Sequence, residues 1–247
     1  MENLIKNCLG ETLDYSFGNG SLPIKHPDWV VIIGHGVTGN KDRPIVTDTA
    51  DALNAAGFDT LRFSYAGNGE STGDFRDATI SKEVGDLESV IDAISSKYSN
   101  VVYIGHSMGG AVGVVQAAKD NRVRALISLA GMVDTQGFAE IEFAGVIPDE
   151  GDMWGQVGCP LSTAFIRDLG QTIQNVTPLA ECITIPWLLV HGTADDVVHL
   201  RDSETILALK SDSVDMTVID GADHSFTEPA HKSAMTRAVV QWLKALT

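Results

Sequence analysis

Apolar and polar positions along this chain fall into two alternating rhythms. Trp29-Val30-Val31-Ile32-Ile33, Thr60-Leu61-Arg62-Phe63, Val101-Val102-Tyr103-Ile104, Ala125-Leu126-Ile127-Ser128-Leu129 and Trp187-Leu188-Leu189-Val190 are short β-branched or apolar runs that read as buried strands. Between them Ile80, Val84, Leu87, Ile91, Ile94 and Tyr98 recur every three or four residues, which predicts a helix over 80–98 with one apolar face. The same spacing joins Met235, Val239, Trp242 and Leu246. Strands alternating with amphipathic helices predict an α/β fold, a mostly parallel central sheet flanked by helices. Leu13-Asp14-Tyr15-Ser16-Phe17 and Leu22-Pro23-Ile24 are short and turn-rich, and predict an antiparallel edge ahead of the parallel strands.

Residues 134–180 break the rhythm. Gly137, Gly145, Pro148, Gly151, Gly155, Gly158 and Pro160 interrupt scattered apolar residues there. Long structureless loops are rare in compact domains, so the segment reads as a small cap insertion lining a pocket.

Composition narrows the class. A chain of 247 residues with 44% hydrophobic and 20% charged residues fits a single globular domain, 1–247. A formal net charge of −16 argues against nucleic acid or anionic lipid as partner, because both are held chiefly by Lys and Arg. The opening Met1-Glu2-Asn3-Leu4-Ile5-Lys6 is not a basic region followed by an apolar stretch, and no run of 18 apolar residues predicts a membrane span. Cys8, Cys159 and Cys182 are odd in number and widely spaced, which suits free thiols in a reducing cytoplasm. No HExxH or paired His/Asp cluster suggests a metal, and the GxG in Ala66-Gly67-Asn68-Gly69-Glu70-Ser71-Thr72-Gly73 lacks a dinucleotide fingerprint. No cofactor is expected.

The chemistry centres on Gly105-His106-Ser107-Met108-Gly109, a G-x-S-x-G motif between the strand ending at Ile104 and a helix-like run from Gly110 to Asp120. A serine on such a turn is thrust out of the sheet, and flanking glycines leave room where a Cβ would collide. The helix beginning there aims free N–H groups at the site, making Met108 N–H a natural oxyanion donor. A serine hydroxyl needs a base within reach and a carboxylate to orient that base. Downstream, His191-Gly192-Thr193-Ala194-Asp195-Asp196-Val197-Val198 follows the strand at 187–190, and Gly221-Ala222-Asp223-His224 follows Met216-Thr217-Val218-Ile219. The chain order is Ser, Asp, His.

With these motifs the chain resembles the α/β hydrolases, from His35-Gly36 to the last helix. The resemblance implies Ser107 as nucleophile, His224 as general base and Asp195 as the orienting acid. Asp195 stands three residues after Gly192 in an HGxxDxxV segment with Val198 in register, and Asp196 is the competing choice. His191, His199 and His231 do not fit the family's histidine position. In Gly34-His35-Gly36-Val37-Thr38-Gly39-Asn40, similar to the HGxxG loop, Val37 N–H is the implied second oxyanion donor and His35 a brace. The Asn68-Gly69-Glu70-Ser71 turn would shape the sheet edge, with Ser71 no second nucleophile; His106 would pack beside its strand and Asp223 would be a solvated turn carboxylate.

Among α/β hydrolases the HGVTGN loop, the NGES turn and the GHSMGG elbow resemble the feruloyl and cinnamoyl esterase-like carboxylesterases. The implied activity is hydrolysis of a small-molecule ester with a short- to medium-chain or aromatic acyl group, and the resemblance admits a homodimer. Peptidase, amidase or thioesterase action on the same triad, or ligand binding without turnover, are the alternatives.

Overall fold

The computed structural model describes residues 4–21 and 27–246, and the Leu22-Pro23-Ile24 segment lies outside them. Strands β1 (Ile5–Lys6) and β2 (Thr12–Leu13) pair antiparallel as a separate ribbon. The central sheet is built from β3 (Tyr15–Gly18), β4 (Trp29–Gly34), β5 (Thr60–Phe63), β6 (Asn100–His106), β7 (Val123–Leu129), β8 (Trp187–Gly192) and β9 (Val214–Ile219). Their order is β3-β5-β4-β6-β7-β8-β9. The antiparallel edge is β3 on β5, and the other pairings are parallel. The helices are α1 (Pro44–Ala55), α2 (Ile80–Ile94), α3 (Met108–Ala117), α4 (Thr135–Glu142), α5 (Thr163–Arg167), α6 (Thr177–Ala180), α7 (Leu200–Leu209) and α8 (Pro229–Leu246).

Why two layers of helix form is written in the strands. Side chains alternate faces along a strand, and in β4 Val30 and Ile32 join one core while Val31 and Ile33 join the other. In β6 the split is Val101 and Tyr103 against Val102 and Ile104. The first core takes Ile80, Val84, Leu87 and Ile91 of α2, whereas the second takes Leu53 of α1 and Met235, Val239 and Leu243 of α8. A strand buried on both faces needs an unbroken apolar run, and that is why these segments were visible as sequence.

Helix α2 stops at Ile94, four residues short of the predicted end. Thr79 caps its start by accepting from Lys82 N–H. Beyond the other end Tyr98 N–H still reaches back to Ile94 O at 3.0 Å, and its buried ring donates its hydroxyl to Asp59 Oδ2 at 2.6 Å, so its apolar spacing reflects core packing past the end of the helix.

Between β7 and β8 the chain forms α4, a single turn at Met153–Gly155, α5, a wide turn at Asp168–Ile173, and α6. Edge-to-face contacts from Phe143 to Phe138 and to Phe165, each with ring centres 6.0 Å apart, hold these pieces together. Thr135 Oγ1 donates to Leu169 O at 2.8 Å across the segment. Among the described residues no helix is long and apolar enough to cross a membrane.

Candidate active site

Strands β4 and β6 are neighbours in register, with Gly34 opposite Gly105. The chain runs outward from them in opposite directions across the sheet, to β5 on one side and β7 on the other. Loops leaving the carboxyl ends of two such strands diverge and open a crevice. Ser107, on the turn after β6, and the 35–39 loop after β4 meet in it.

The approach is so close that a Cβ on Gly36 would lie 2.7 Å from Ser107 Cβ. Gly105 and Gly109 are required for the same reason: added Cβ atoms would come 2.1 Å from Gly109 O and 2.6 Å from His35 O respectively. Ser107 itself holds φ 56° and ψ −122°, a strained conformation for a residue with a side chain. The strain is locked by hydrogen bonds from Ser107 N–H to Leu129 O (3.0 Å) and from Gly110 and Met132 N–H to Ser107 O (2.8 and 3.0 Å). Helix α3 starts at Met108, whose N–H has no helical carbonyl behind it.

His224 and Asp195 are brought together by the loops after β9 and β8. His224 Nδ1 lies 2.9 Å from Asp195 Oδ2, while Oδ1 accepts the N–H groups of Val197 (3.0 Å) and Val198 (2.9 Å). A carboxylate can only accept here, so Nδ1 carries the proton and Nε2 is the basic nitrogen. Burial alone would raise the Asp195 pKa, but hydrogen bonds from His191 and His224 outweigh it and hold the carboxyl well below the usual carboxylate range. Asp196 is exposed and has no such contact with His224.

Ser107, His106 and His224 line one cavity of about 560 Å³ together with Val37, Ile45 and Phe138. Trp154 and Glu142, from the segment between β7 and β8, also line it, and Trp154 Nε1 donates to Glu142 Oε2 at 3.0 Å. Thr38, next to Val37, has φ 55°, and its carbonyl accepts from Arg43 (3.0 Å) and from Gln156 (3.4 Å). His35 braces the same loop: Nδ1 donates to Gly36 O at 2.8 Å and Nε2 accepts Tyr65 N–H at 3.1 Å. Burial pushes the His35 pKa down to about 4, so it braces as a neutral ring. Among the described residues no group of three or more His, Cys, Asp or Glu side chains is arranged to hold a metal ion.

Ser71 sits away from this crevice, donating to Ser64 O (2.7 Å) and accepting Asp14 N–H (2.8 Å). Asp223 is half-buried and accepts Thr227 N–H at 2.8 Å. Two histidines were missed by motif matching. His106 faces the cavity rather than merely packing beside β6, and its Nε2 lies 3.0 Å from the carbonyl of His224. His191, set aside because it is not at the family's histidine position, reaches Asp195 Oδ2 at 3.2 Å. Its place four residues before Asp195, at the end of a strand, was the available signal.

Comparison with known proteins bears on the fold. Residues 25–145, just under half of the chain, match the family described as serine aminopeptidase, S33. A solved structure described as ferulic acid bound to Est1E from Butyrivibrio proteoclasticus superposes with a TM-score of 0.86 at 28% identity, covering 98% of each chain. This chain has the α/β-hydrolase fold. The hydrolase is also 26% identical over 220 residues to the palmitoyl-protein thioesterase ABHD10, mitochondrial, of Rattus norvegicus, covering 83% of this chain and 71% of that one. Its Mus musculus counterpart is 29% identical over 184 residues, covering 69% of this hydrolase and 60% of the relative.

Proposed function

We propose that this protein is a serine carboxylesterase acting on short- to medium-chain or aromatic acyl esters. The observation that carries the reading is the convergence, on one mostly apolar cavity, of an elbow serine and a histidine whose Nδ1 is committed to a buried carboxylate. In the reaction Ser107 Oγ attacks the ester carbonyl while His224 Nε2 takes its proton. The N–H groups of Val37 and Met108 receive the oxyanion, and Asp195 stabilises the imidazolium as it forms. His224 then protonates the departing alcohol, leaving an acyl group on Ser107. Water, deprotonated by His224, repeats the attack and releases the acid.

Cavity size supports the substrate range. About 560 Å³ lies within the span of small-ligand pockets, and Phe138, Trp154 and Val197 offer apolar and aromatic surface to an acyl group. The solved neighbour holding ferulic acid supports an aromatic acyl group. The likeness to palmitoyl-protein thioesterases supports a second reading, a thioester in place of the oxygen ester. Both use the same acyl-enzyme. The free thiols of Cys8, Cys159 and Cys182 support a reducing, cytoplasmic setting.

The test is initial rates on p-nitrophenyl esters from acetate to long-chain acyl groups, with matched thioesters and with Ser107→Ala in parallel. Rates that peak on short chains and collapse in the variant are the expected result. Preference for thioesters at every chain length would move the assignment to the second reading, and turnover that survives in Ser107→Ala would overturn the serine mechanism.

A further inference from the structure

His191 is the last side chain before Gly192 on β8 and is wholly buried, as is the Asp195 carboxylate beside it. Its ring has three contacts. Nδ1 lies 2.8 Å from Ser203 Oγ, itself buried on α7. Nε2 lies 2.8 Å from Val198 O and 3.2 Å from Asp195 Oδ2. A carbonyl and a carboxylate both require a donor, so the proton sits on Nε2 and is shared between them, while Nδ1 accepts the Ser203 hydroxyl. The oxygen it reaches on Asp195 is the one that receives His224 Nδ1–H.

We infer that His191 is a positioning residue for catalysis: it fixes the Asp195 carboxylate by a second hydrogen bond to the oxygen that orients His224. The inference rests on the esterase reading of Ser107, His224 and Asp195. Two features argue that the contact does more than fill space. First, one imidazole N–H joins both ends of the 195–198 turn, whose Val197 and Val198 N–H groups already hold Oδ1. Oδ1 and Oδ2 are then each held by two donors, and the carboxylate has one orientation in which all four are satisfied. Second, a donor on Oδ2 draws negative charge away from His224. Removing it makes the carboxylate a stronger partner for the imidazolium and His224 easier to protonate.

The titratable groups around this carboxylate come from every element packed on it. They are His191 on β8, His224 and Asp223 on the loop after β9, His106 beyond the His224 ring, and Asp202 on α7 behind His191. Asp202 is anchored separately, accepting Val133 and Asp134 N–H groups at 2.7 and 3.1 Å. Ser203 on the same helix therefore meets His191 from a fixed position.

The experiment compares the parent with His191→Phe, His191→Gln and Ser203→Ala. Active serine is counted by stoichiometric fluorophosphonate labelling, and kcat/KM is followed across pH on the best p-nitrophenyl ester. Expected in His191→Phe is a fall in kcat per labelled site of about tenfold to a hundredfold, the loss of a hydrogen bond to a charged group, with KM changed less than twofold. Its acid limb should move to higher pH. His191→Gln, whose amide N–H can stand in for Nε2–H, should restore most of both. Ser203→Ala should shift the limb the same way by a smaller amount. An acid limb unmoved in both His191→Phe and Ser203→Ala, with kcat per labelled site at parent level, would overturn the assignment while leaving the esterase reading intact. If His191→Phe does not fold, an unmoved limb in Ser203→Ala overturns it alone. A parent whose Ser107 takes no label would overturn the esterase reading and this assignment with it.

Discussion

His106 donates its Nε2–H to the backbone carbonyl of His224 at 3.0 Å, and the two rings lie 4.7 Å apart. The residue before Ser107 thus pins the loop that carries His224. Burial, and then the neighbouring His224, push the His106 pKa down to about 3, so it stays neutral across the working pH range. His106→Phe keeps the ring and loses the bond; kcat should fall roughly five- to tenfold, the rate equivalent of one neutral hydrogen bond. Steady-state rates on unlabelled enzyme, divided by the active-serine count, check this, and a parent-like kcat would show that the carbonyl needs no anchor.

The same depressed pKa has a consequence for stability. The unfolded chain takes a proton near pH 6.5 that folded His106 refuses until about 3. Its contribution is therefore present above pH 6.5 and is lost as pH falls through that window. Relative to His106→Phe the parent should lose about 1.4 kcal/mol per pH unit between pH 6 and 4, read from urea midpoints at each pH. A stability difference independent of pH would mean that the folded ring is protonated there.

Glu83 gives the opposite sign. It is 2% exposed, its Oε2 has no partner, and burial, followed by Asp86 and Asp168, pushes its pKa well above the usual range. A raised pKa favours the fold below the unfolded value near 4.3 and withdraws that support as pH rises through the folded value. Glu83→Gln removes the ionisation while keeping the shape. Its Tm should match the parent near pH 4 and exceed it by roughly 3 °C or more at pH 8, by differential scanning calorimetry. An equal Tm at both ends would mean that the carboxyl ionises in the fold as readily as in the unfolded chain.

These groups mark the boundary of what the sequence discloses. The central strands were legible because both faces of β4, β6, β7 and β8 are buried, which forces apolar runs. The elbow was legible because Gly105 and Gly109 cannot carry a Cβ without striking backbone. Helix α1 was not, since its buried stripe runs Ile45, Val46, Thr49, Ala50 and Leu53 and includes a threonine whose hydroxyl is spent on Ile45 O. The role of His106 was hidden for a different reason: it depends on a contact across the fold, to His224 O, that no local spacing encodes, whereas His191 reaches Asp195 only four residues on.

Gly105→Ala tests the elbow without touching a reacting group. The new methyl would sit 2.1 Å from Gly109 O, which is backbone and cannot swing aside. Relief requires β6 and the start of α3 to part, at a cost of roughly 1–3 kcal/mol or more. Soluble protein with a lowered urea midpoint and serine labelling slowed by more than tenfold is the expected outcome. Unchanged labelling would mean that the turn is looser than the close contacts imply.

Trp154 lines the cavity while half of it is exposed, and its truncation should change selectivity more than stability. The side chain is 51% exposed, donates to Glu142 and packs its ring 5.2 Å from that of Phe143, so it covers the cavity without filling the core. Surface truncations of this kind cost about 1 kcal/mol or less. Trp154→Ala removes a large side chain from the cavity lining, giving longer chains room and taking an aromatic face from a flat acyl group. The optimum of kcat/KM along the p-nitrophenyl series should move up by two or more carbons. Activity on methyl esters of hydroxycinnamic acids should fall several-fold relative to butyrate. A profile that keeps its shape while every rate drops equally would place the acyl group elsewhere in the cavity and make Trp154 a wall of the leaving-group side.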